Sequence, residues 1–449
     1  MRRKMNKQMP LVGVTSEHPR GHELAQMSAL LDAMPRAVQL VHGDLTRGGT
    51  RLDTGREAMT AEQVLRVLIV KQMLGLSYDE LTFFLSDSQS LRSFCRLSFG
   101  GMTPKRSTLQ GNIKQVQAST LESINRLVVS SAVVLRVESG TKTRSDSTVV
   151  ETNIHHPLDS SLLWDSVRVL SRLMDEALEW LPASTVFAHH TRRAKKRTLG
   201  ILNARNMEAR VALYKDLLRV TDMTVVDAER IEAALMKTAE PMLMARAAKI
   251  SHFIALARKV IDQTTRRILQ GESVPSTEKI VSIFEPHTDI IVKGGRDTLY
   301  GHKMFLTTGA SGIVLDVVVE RGNPADTNLA TRLVKRVSKS LGKMPKQVSF
   351  DGGFSSQANL ADIKELGVTD VAFHKHVGLE VEDMVRSPWV MKKLRNFRAG
   401  IEGGISWLKR SFGLDRCTWR GWDSFVSYVH GSVLACNLLV LARRLLAKA

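Results

Sequence analysis

The chain opens with little pattern and then becomes periodic. Residues 1–58 carry scattered Gly, His and charge around one short helical pattern from Ala29 to Val41, which reads as a loosely structured lead-in. From Thr60 onward, apolar residues recur at three- and four-residue intervals. Thr60-Ala-Glu-Gln63, Ser77-Tyr-Asp-Glu80 and Ser107-Thr-Leu-Gln110 each place a hydroxyl three residues before Glu or Gln, the capping-box spacing, ahead of an apolar run. Leu65, Leu68, Ile69 and Gln72 share one stripe, Gly75 stands where that helix should end, and Leu81, Phe84 and Leu85 begin the next. At least three helices are predicted before residue 137. Their layout is helix-turn-helix-like with a basic loop at Lys105 and Arg106, a layout that plain helical bundles share, so DNA contact there stays open.

Lys142 to Ile154 changes to β-branched, alternating residues, a strand signature. From Asp159 to about Arg267 the pattern is helical again, with Leu170, Leu173, Met174, Ala177 and Leu178 on one stripe. Strand patterns return at His302 to Thr307 and Ile313 to Glu320, joined by a Gly-containing turn as a hairpin. A helix with Leu329, Leu333, Val337 and Leu341 on its buried face follows, then a strand at Gln347 to Phe350, a helix at Asn359 to Leu366, a strand at Asp370 to His374 and a helix from about Arg395. This order predicts a mixed α/β domain interrupted after its first strand. The expected organisation is a lead-in (1–58), a helical domain (59–137), a split α/β domain (138–157 and 284–449) and a helical insertion (158–283).

Charge adds a class of partner. The 449 residues hold 64 Lys plus Arg against 45 Asp plus Glu, a net charge of +19 with pI near 10, which suits a protein that holds a polyanion. Between residues 189 and 210, Arg192, Arg193, Lys195, Lys196, Arg197, Arg205 and Arg210 face only Glu208; the strip is either a solvated helix face or a phosphate-contacting one. Cys95, Cys417 and Cys436 form no CxxC pair, and their odd number argues against a secreted disulfide framework, so a reducing, cytoplasmic location is expected. The basic N-terminus lacks a following apolar core, and the apolar stretch Gly431 to Ala442 falls short of the roughly 20 residues that span a bilayer. No membrane anchor is expected. The adjacent pairs His155-His156 and His189-His190 lack helical ligand spacing, so zinc is not expected.

Three acids stand where elements would present them. Asp146 lies within the first strand, Asp351 directly follows a strand and precedes two glycines, and Glu402 sits on the last-but-one helical pattern. Carboxyl ends of strands are where open α/β sheets place ligands. If the three meet, they form an oxygen-rich cluster suited to two Mg²⁺ ions, with Mn²⁺ able to substitute, and to phosphodiester chemistry. Arg398, Glu402 and Lys409 share one helix face, and Gly400, Gly403 and Gly404 crowd the same turn at about 1 kcal/mol each relative to Ala, which implies close approach of a strand or a DNA backbone. Lys303 could reach a phosphate near the metals or pair with a neighbour. Trp389, Trp407, Trp419 and Trp422 cluster near the C-terminus, where core packing or stacking on a base would explain them.

The spacing of Arg398, Glu402 and Lys409 resembles the C-terminal signature of DDE transposases of bacterial insertion sequences, the Tyr-Arg-Glu-Lys group. The stretch SDSTVVETNIHHP around Asp146, the YGHK hairpin, the FDGGF strand end at Asp351 and the helices LIVKQMLGLSYDELTFFLSDSQSLRSFCRL are similar to that family's other blocks. The helical insertion resembles the ISNCY-type subgroup. The signature's Tyr falls at position 395, where this chain has Arg395. The resemblance implies an RNase H-like fold and Asp146, Asp351 and Glu402 as ligands of two metal ions. It also implies double-stranded DNA as partner, through terminal inverted repeats and target sites, and a homodimer or higher oligomer acting on it at the nucleoid. Arg398, Lys409, Lys303, Arg192, Arg193, Lys195, Lys196, Arg197, Lys105 and Arg106 are the candidate DNA contacts. An RNase H-like nuclease or resolvase and a non-catalytic DNA-binding regulator are the alternatives.

Overall fold

The computed structural model describes residues 3–5, 16–48, 58–98, 101–238, 240–293, 297–374 and 378–448. They fall into two units, Met1–Glu151 with His302–Ala449, and Thr152–Gly301. The first unit begins with α1 (Pro19–Asp32), α2 (Pro35–Thr46), α3 (Ala61–Met73), α4 (Tyr78–Asp87), α5 (Gln89–Phe94), α6 (Arg106–Ile113) and α7 (Ala118–Val134). Thr60 and Ser77 close the capping boxes of α3 and α4, and Gly75 turns the chain between them at φ +64°. Ser107 does not cap. Lys105 takes the extended N-cap conformation and α6 starts at Arg106, so the serine lies inside the helix.

Residues 16–48 of the expected lead-in are largely helical. Pro19 and Pro35 occupy the first turns of α1 and α2, where a missing N–H costs nothing, and Met27, Leu30, Leu31, Val38, Val41 and Leu45 are buried. Met27, Leu30 and Leu31 on α1 and Val38, Val41 and Leu45 on α2 each keep helical spacing, and α1 packs against both α5 and the last helix, α16 (Trp422–Leu446). The helices expected as a domain of their own also share a single core with α16 and the sheet. Helix α3 is buried on almost every face, and α4 is the element that exposes Phe83 and Phe84.

The sheet of this unit is mixed and open. Strands β1 (Lys142–Glu151), β5 (Gln347–Phe350) and β6 (Asp370–Phe373) run parallel, while β3 (Asp297–Gly309) lies on the other side of β1 and pairs antiparallel with β4 (Val314–Glu320). Helices α12 (Ala330–Leu341), α13 (Gln357–Glu365), α14 (Val381–Met384) and α15 (Pro388–Phe412) fill the connections. Helix α15 starts seven residues before the expected Arg395, because Ser387 caps it and Pro388 opens its first turn.

Helix α16 (Trp422–Leu446) is long and apolar enough to cross a bilayer by length and composition, beyond the dozen residues expected, yet 94% of its most apolar window is buried inside the protein. Its one central amide explains how it docks: Asn437 Oδ1 accepts from Val314 N–H at 2.9 Å and Nδ2 donates to Val314 C=O at 2.8 Å, continuing the pairing of β4 with a side chain. His430 on the same helix is fully buried, and burial pulls its pKa down to about 4; Glu122 opposes the shift, and Arg336 and Arg126 reinforce it. The imidazole is therefore neutral in the fold and charges on unfolding. Stability should fall as pH drops from 6.5 towards 4, by about 3 kcal/mol at most, and His430→Asn should flatten that part of a melting-temperature profile against pH.

The second unit packs α8 (Asp159–Leu178), α9 (Thr191–Leu202), α10 (Met207–Met236) and α11 (Pro241–Thr264) around Leu163, Leu170, Leu217, Ile231 and Ile250. It also holds β2 (Asp289–Lys293), a strand without clear alternation, paired antiparallel with residues 297–301 of β3.

Candidate active site

Parallel pairing of β1 with β5 sets Ser145 against Phe350, which brings the next residues, Asp146 and Asp351, to the same level of the sheet. Helix α15 lies on β1, β5 and β6 and supplies the other half of the site. Its seat is fixed by Ser349 Oγ, which donates to Leu394 C=O at 3.2 Å, and by Arg144, which stacks on the Phe397 ring at 4.6 Å and bonds Thr308 at 3.0 Å. Arg144 passes directly over Gly400, where any Cβ would collide with its guanidinium. That contact explains Gly400. Gly403 and Gly404 have nothing within 4 Å of a Cβ position, so no neighbouring side chain requires them.

One turn apart on α15, Arg398 and Glu402 face Asp146 in mid-β1 and Asp351 just past the end of β5. Arg398 Nη1 donates to Asp146 Oδ2 at 3.1 Å, and Nη2 meets Asp351 Oδ1 at 3.1 Å and Glu402 Oε1 at 3.5 Å. The Arg398 side chain is 9% exposed, against 14% for Asp146, 42% for Asp351 and 68% for Glu402, so the site grades from a buried floor to an open rim. Burial raises the pKa of Asp146; the Ser147 N–H at 2.8 Å and Arg398 oppose that shift, and Asp351 and Glu402 add to it. Carboxylates from three distant segments thus meet one cationic group.

Carboxylate oxygens are the donors that hard divalent cations prefer, and three of them already converge on a positive centre, so the donor set fits such ions. Their present spacing is that of a guanidinium: among the described residues, no three His, Cys, Asp or Glu side chains stand as a ready-made metal cage. A cation binding here would use the same oxygens that Arg398 engages.

A family model described as a transposase DDE domain matches residues 288–438, and one described as a transposase domain, DUF772, matches residues 14–115. The chain belongs to the DDE transposases of insertion sequences. No curated protein and no solved structure matches it. The enzyme class cuts and transfers DNA strands with divalent metal, and DNA is the partner it implies. The DDE match contains Asp351, Arg398 and Glu402 and begins well past Asp146, which joins them through the β1–β5 pairing. The second match reaches back into the supposed lead-in, where α1 and α2 lie.

The remaining residues singled out in this transposase divide by how free they are. Lys409 stands 3.7 Å from Asp415 and touches none of the three acids. Lys303 is committed internally, to Pro324 C=O at 2.8 Å and Asp326 Oδ1 at 3.0 Å. Arg106 pairs with Asp79 at 3.0 Å at the surface beside exposed Lys105. In the second unit, Arg193 and Arg197 both bind Asp216 of α10, whereas Arg192, Lys195 and Lys196 of α9 are exposed and pair with no acid among the described residues. Trp419 is buried, Trp407 packs at the core edge and Trp422 stacks with Phe425, whereas Trp389 is 63% exposed with Lys393 over its ring. Two residues near the acids escaped the sequence reading. Arg144 bears on β1 beside Asp146, and Asp326 sits in the connection after β4, where no periodicity marks it.

Proposed function

We propose that this transposase binds the terminal inverted repeats of its own element, hydrolyses a phosphodiester to free a 3′-hydroxyl, and joins that hydroxyl to target DNA. The observation that carries the reading is the convergence of Asp146, Asp351 and Glu402 on Arg398. In this reading the sheet is RNase H-like, residues 138–157 and 284–449 form the split catalytic domain, 158–283 its ISNCY-type insertion, and 59–137 belongs to DNA recognition. Asp146, Asp351 and Glu402 would hold the divalent ions, Mg²⁺ by preference. Bound there, such ions supply a nucleophile at neutral pH and Lewis-acid stabilisation of the leaving oxygen.

The chain's own part is positioning and electrostatics. Asp146, on the buried floor, fixes the deep end of the scissile phosphate's site, and Asp351 and Glu402 close it from the open side. Arg398, once its carboxylate partners are engaged elsewhere, presents two N–H donors to phosphate oxygens, where the developing negative charge is largest. No protein nucleophile is required. The deciding assay supplies Mg²⁺, a duplex carrying one element end and a supercoiled target plasmid, and repeats it with a pre-cleaved end bearing a free 3′-hydroxyl. Joined product from both substrates is the expected result; cleavage without joining would reassign the protein as a nuclease.

Arg192, Lys195 and Lys196 are proposed as the phosphate contacts of α9. Replacing all three with Gln should lower the slope of log K against log salt by about 2 to 3, since each lost phosphate contact removes roughly 0.9. An unchanged slope in a fluorescence-anisotropy titration would return α9 to a solvated face.

A further inference from the structure

Asp326 lies in the 3₁₀ turn between β4 and α12, outside every assignment made so far, and its carboxylate joins three elements of the site. Oδ1 accepts from Lys303 Nζ on β3 at 3.0 Å. Oδ2 accepts from Ser147 Oγ at 3.0 Å, and Ser147 is the residue whose N–H holds Asp146. On the third side the carboxylate abuts Gly353, two residues beyond Asp351: a Cβ there would stand 3.1 Å from Oδ2. Asp326 is 18% exposed and Lys303 17%, so the pair is mostly screened from water, and Lys303 is anchored a second time by Pro324 C=O at 2.8 Å.

A surface ion pair would not have this geometry. The carboxylate bonds the residue after Asp146 in mid-β1 and lies against the turn after Asp351 at the end of β5, so it stands behind both acids, whose separation sets the width of the site. Lys303 holds that carboxylate in place from the opposite side. We propose that Asp326 is a positioning residue that sets the spacing of Asp146 and Asp351 for divalent-cation binding, acting through Ser147 and the Gly353 turn and held by Lys303. The inference rests on the metal-binding reading of Asp146, Asp351 and Glu402. Groups that orient metal ligands from behind typically change metal affinity 10- to 100-fold when removed.

The test is Mn²⁺ binding to the full chain without DNA, followed by electron paramagnetic resonance and calorimetry, on wild type and on Asp146→Ala, Ser147→Ala, Asp326→Ala, Lys303→Met and the Ser147→Ala/Asp326→Ala double variant. Asp146→Ala is the reference for the site itself. If wild type binds no Mn²⁺, or Asp146→Ala binds it normally, the metal reading fails, whatever the others do. If that reference behaves, Ser147→Ala and Asp326→Ala should each weaken Mn²⁺ about tenfold, and the double variant no further than about two- to threefold beyond either, because both break one linkage.

Lys303→Met separates positioning from simple charge. Removing a cation beside a metal site should tighten Mn²⁺ if only the field matters, whereas loss of the residue that holds Asp326 should weaken it. Ser147→Ala removes a single hydroxyl and preserves the fold, so its result stands even if Asp326→Ala melts early. Unchanged affinity in Ser147→Ala, multiplying effects in the double variant, or tighter binding in Lys303→Met would each overturn the proposal.

Discussion

Asp146→Asn should abolish strand cleavage by this transposase and leave its affinity for the element's end unchanged or slightly raised, and Asp351→Asn and Glu402→Gln should do the same. Each substitution keeps the side-chain shape and removes one carboxylate charge from a site that must gather cations. Loss of several kcal/mol of transition-state stabilisation corresponds to a fall of about 10³-fold or more in rate. DNA affinity moves the other way because one negative charge facing a polyanion has gone. Arg398 retains two of its three partners in every variant, so its seat on the sheet survives. Nicking of a labelled end under single-turnover conditions reads the rate, and anisotropy reads binding. A variant that cleaves at the wild-type rate removes its residue from the site.

Most of what positions that site is readable from the chain because it is local. The strand Gln347 to Phe350 is a short buried run bounded by turn residues, and the structure places β5 on those same residues. The glycine at 75 and the capping hydroxyls at 60 and 77 act within one helical turn of where they stand. Local signals also mislead: the chain enters α6 at Lys105, directly after Pro104, so Ser107 falls inside the helix instead of at its N-cap.

What the sequence hides is non-local. Arg398 and Glu402 at i, i+4 look like a surface ladder, and only folding adds Asp146 and Asp351 to the same guanidinium. The basic run at 192–197 looks uncompensated because its acid, Asp216, lies on the next helix. Gly400 implies a close neighbour, which is the side chain of Arg144. Asp326 carries no periodic or motif signal, since its partners Ser147 and Lys303 lie 179 and 23 residues away.

Arg66→Ala should destabilise the first unit by about 3–5 kcal/mol, the scale expected when one partner of a buried ionic network is removed. Arg66 is 1% exposed on α3 and ties three elements together: its guanidinium donates to Glu62 at 3.0 Å, Asp32 of α1 at 2.6 Å, Ser28 at 3.0 Å and the Phe94 carbonyl of α5 at 3.1 Å. Among the described residues, its removal leaves Glu62, itself buried, with Arg96 at 3.3 Å as its remaining cation, and takes the side-chain donor from the Phe94 carbonyl. Lysine does not rescue the site, because one ammonium cannot serve acceptors on three helices at once. Arg66→Met with Glu62→Gln should recover part of the loss by removing both charges and refilling the volume. Amide exchange gives the local readout: α1, α3 and α5 should open faster, while α10 in the other unit keeps its protection. A fall of less than 1 kcal/mol in those helices would show that Arg96 alone holds the N-terminal core together.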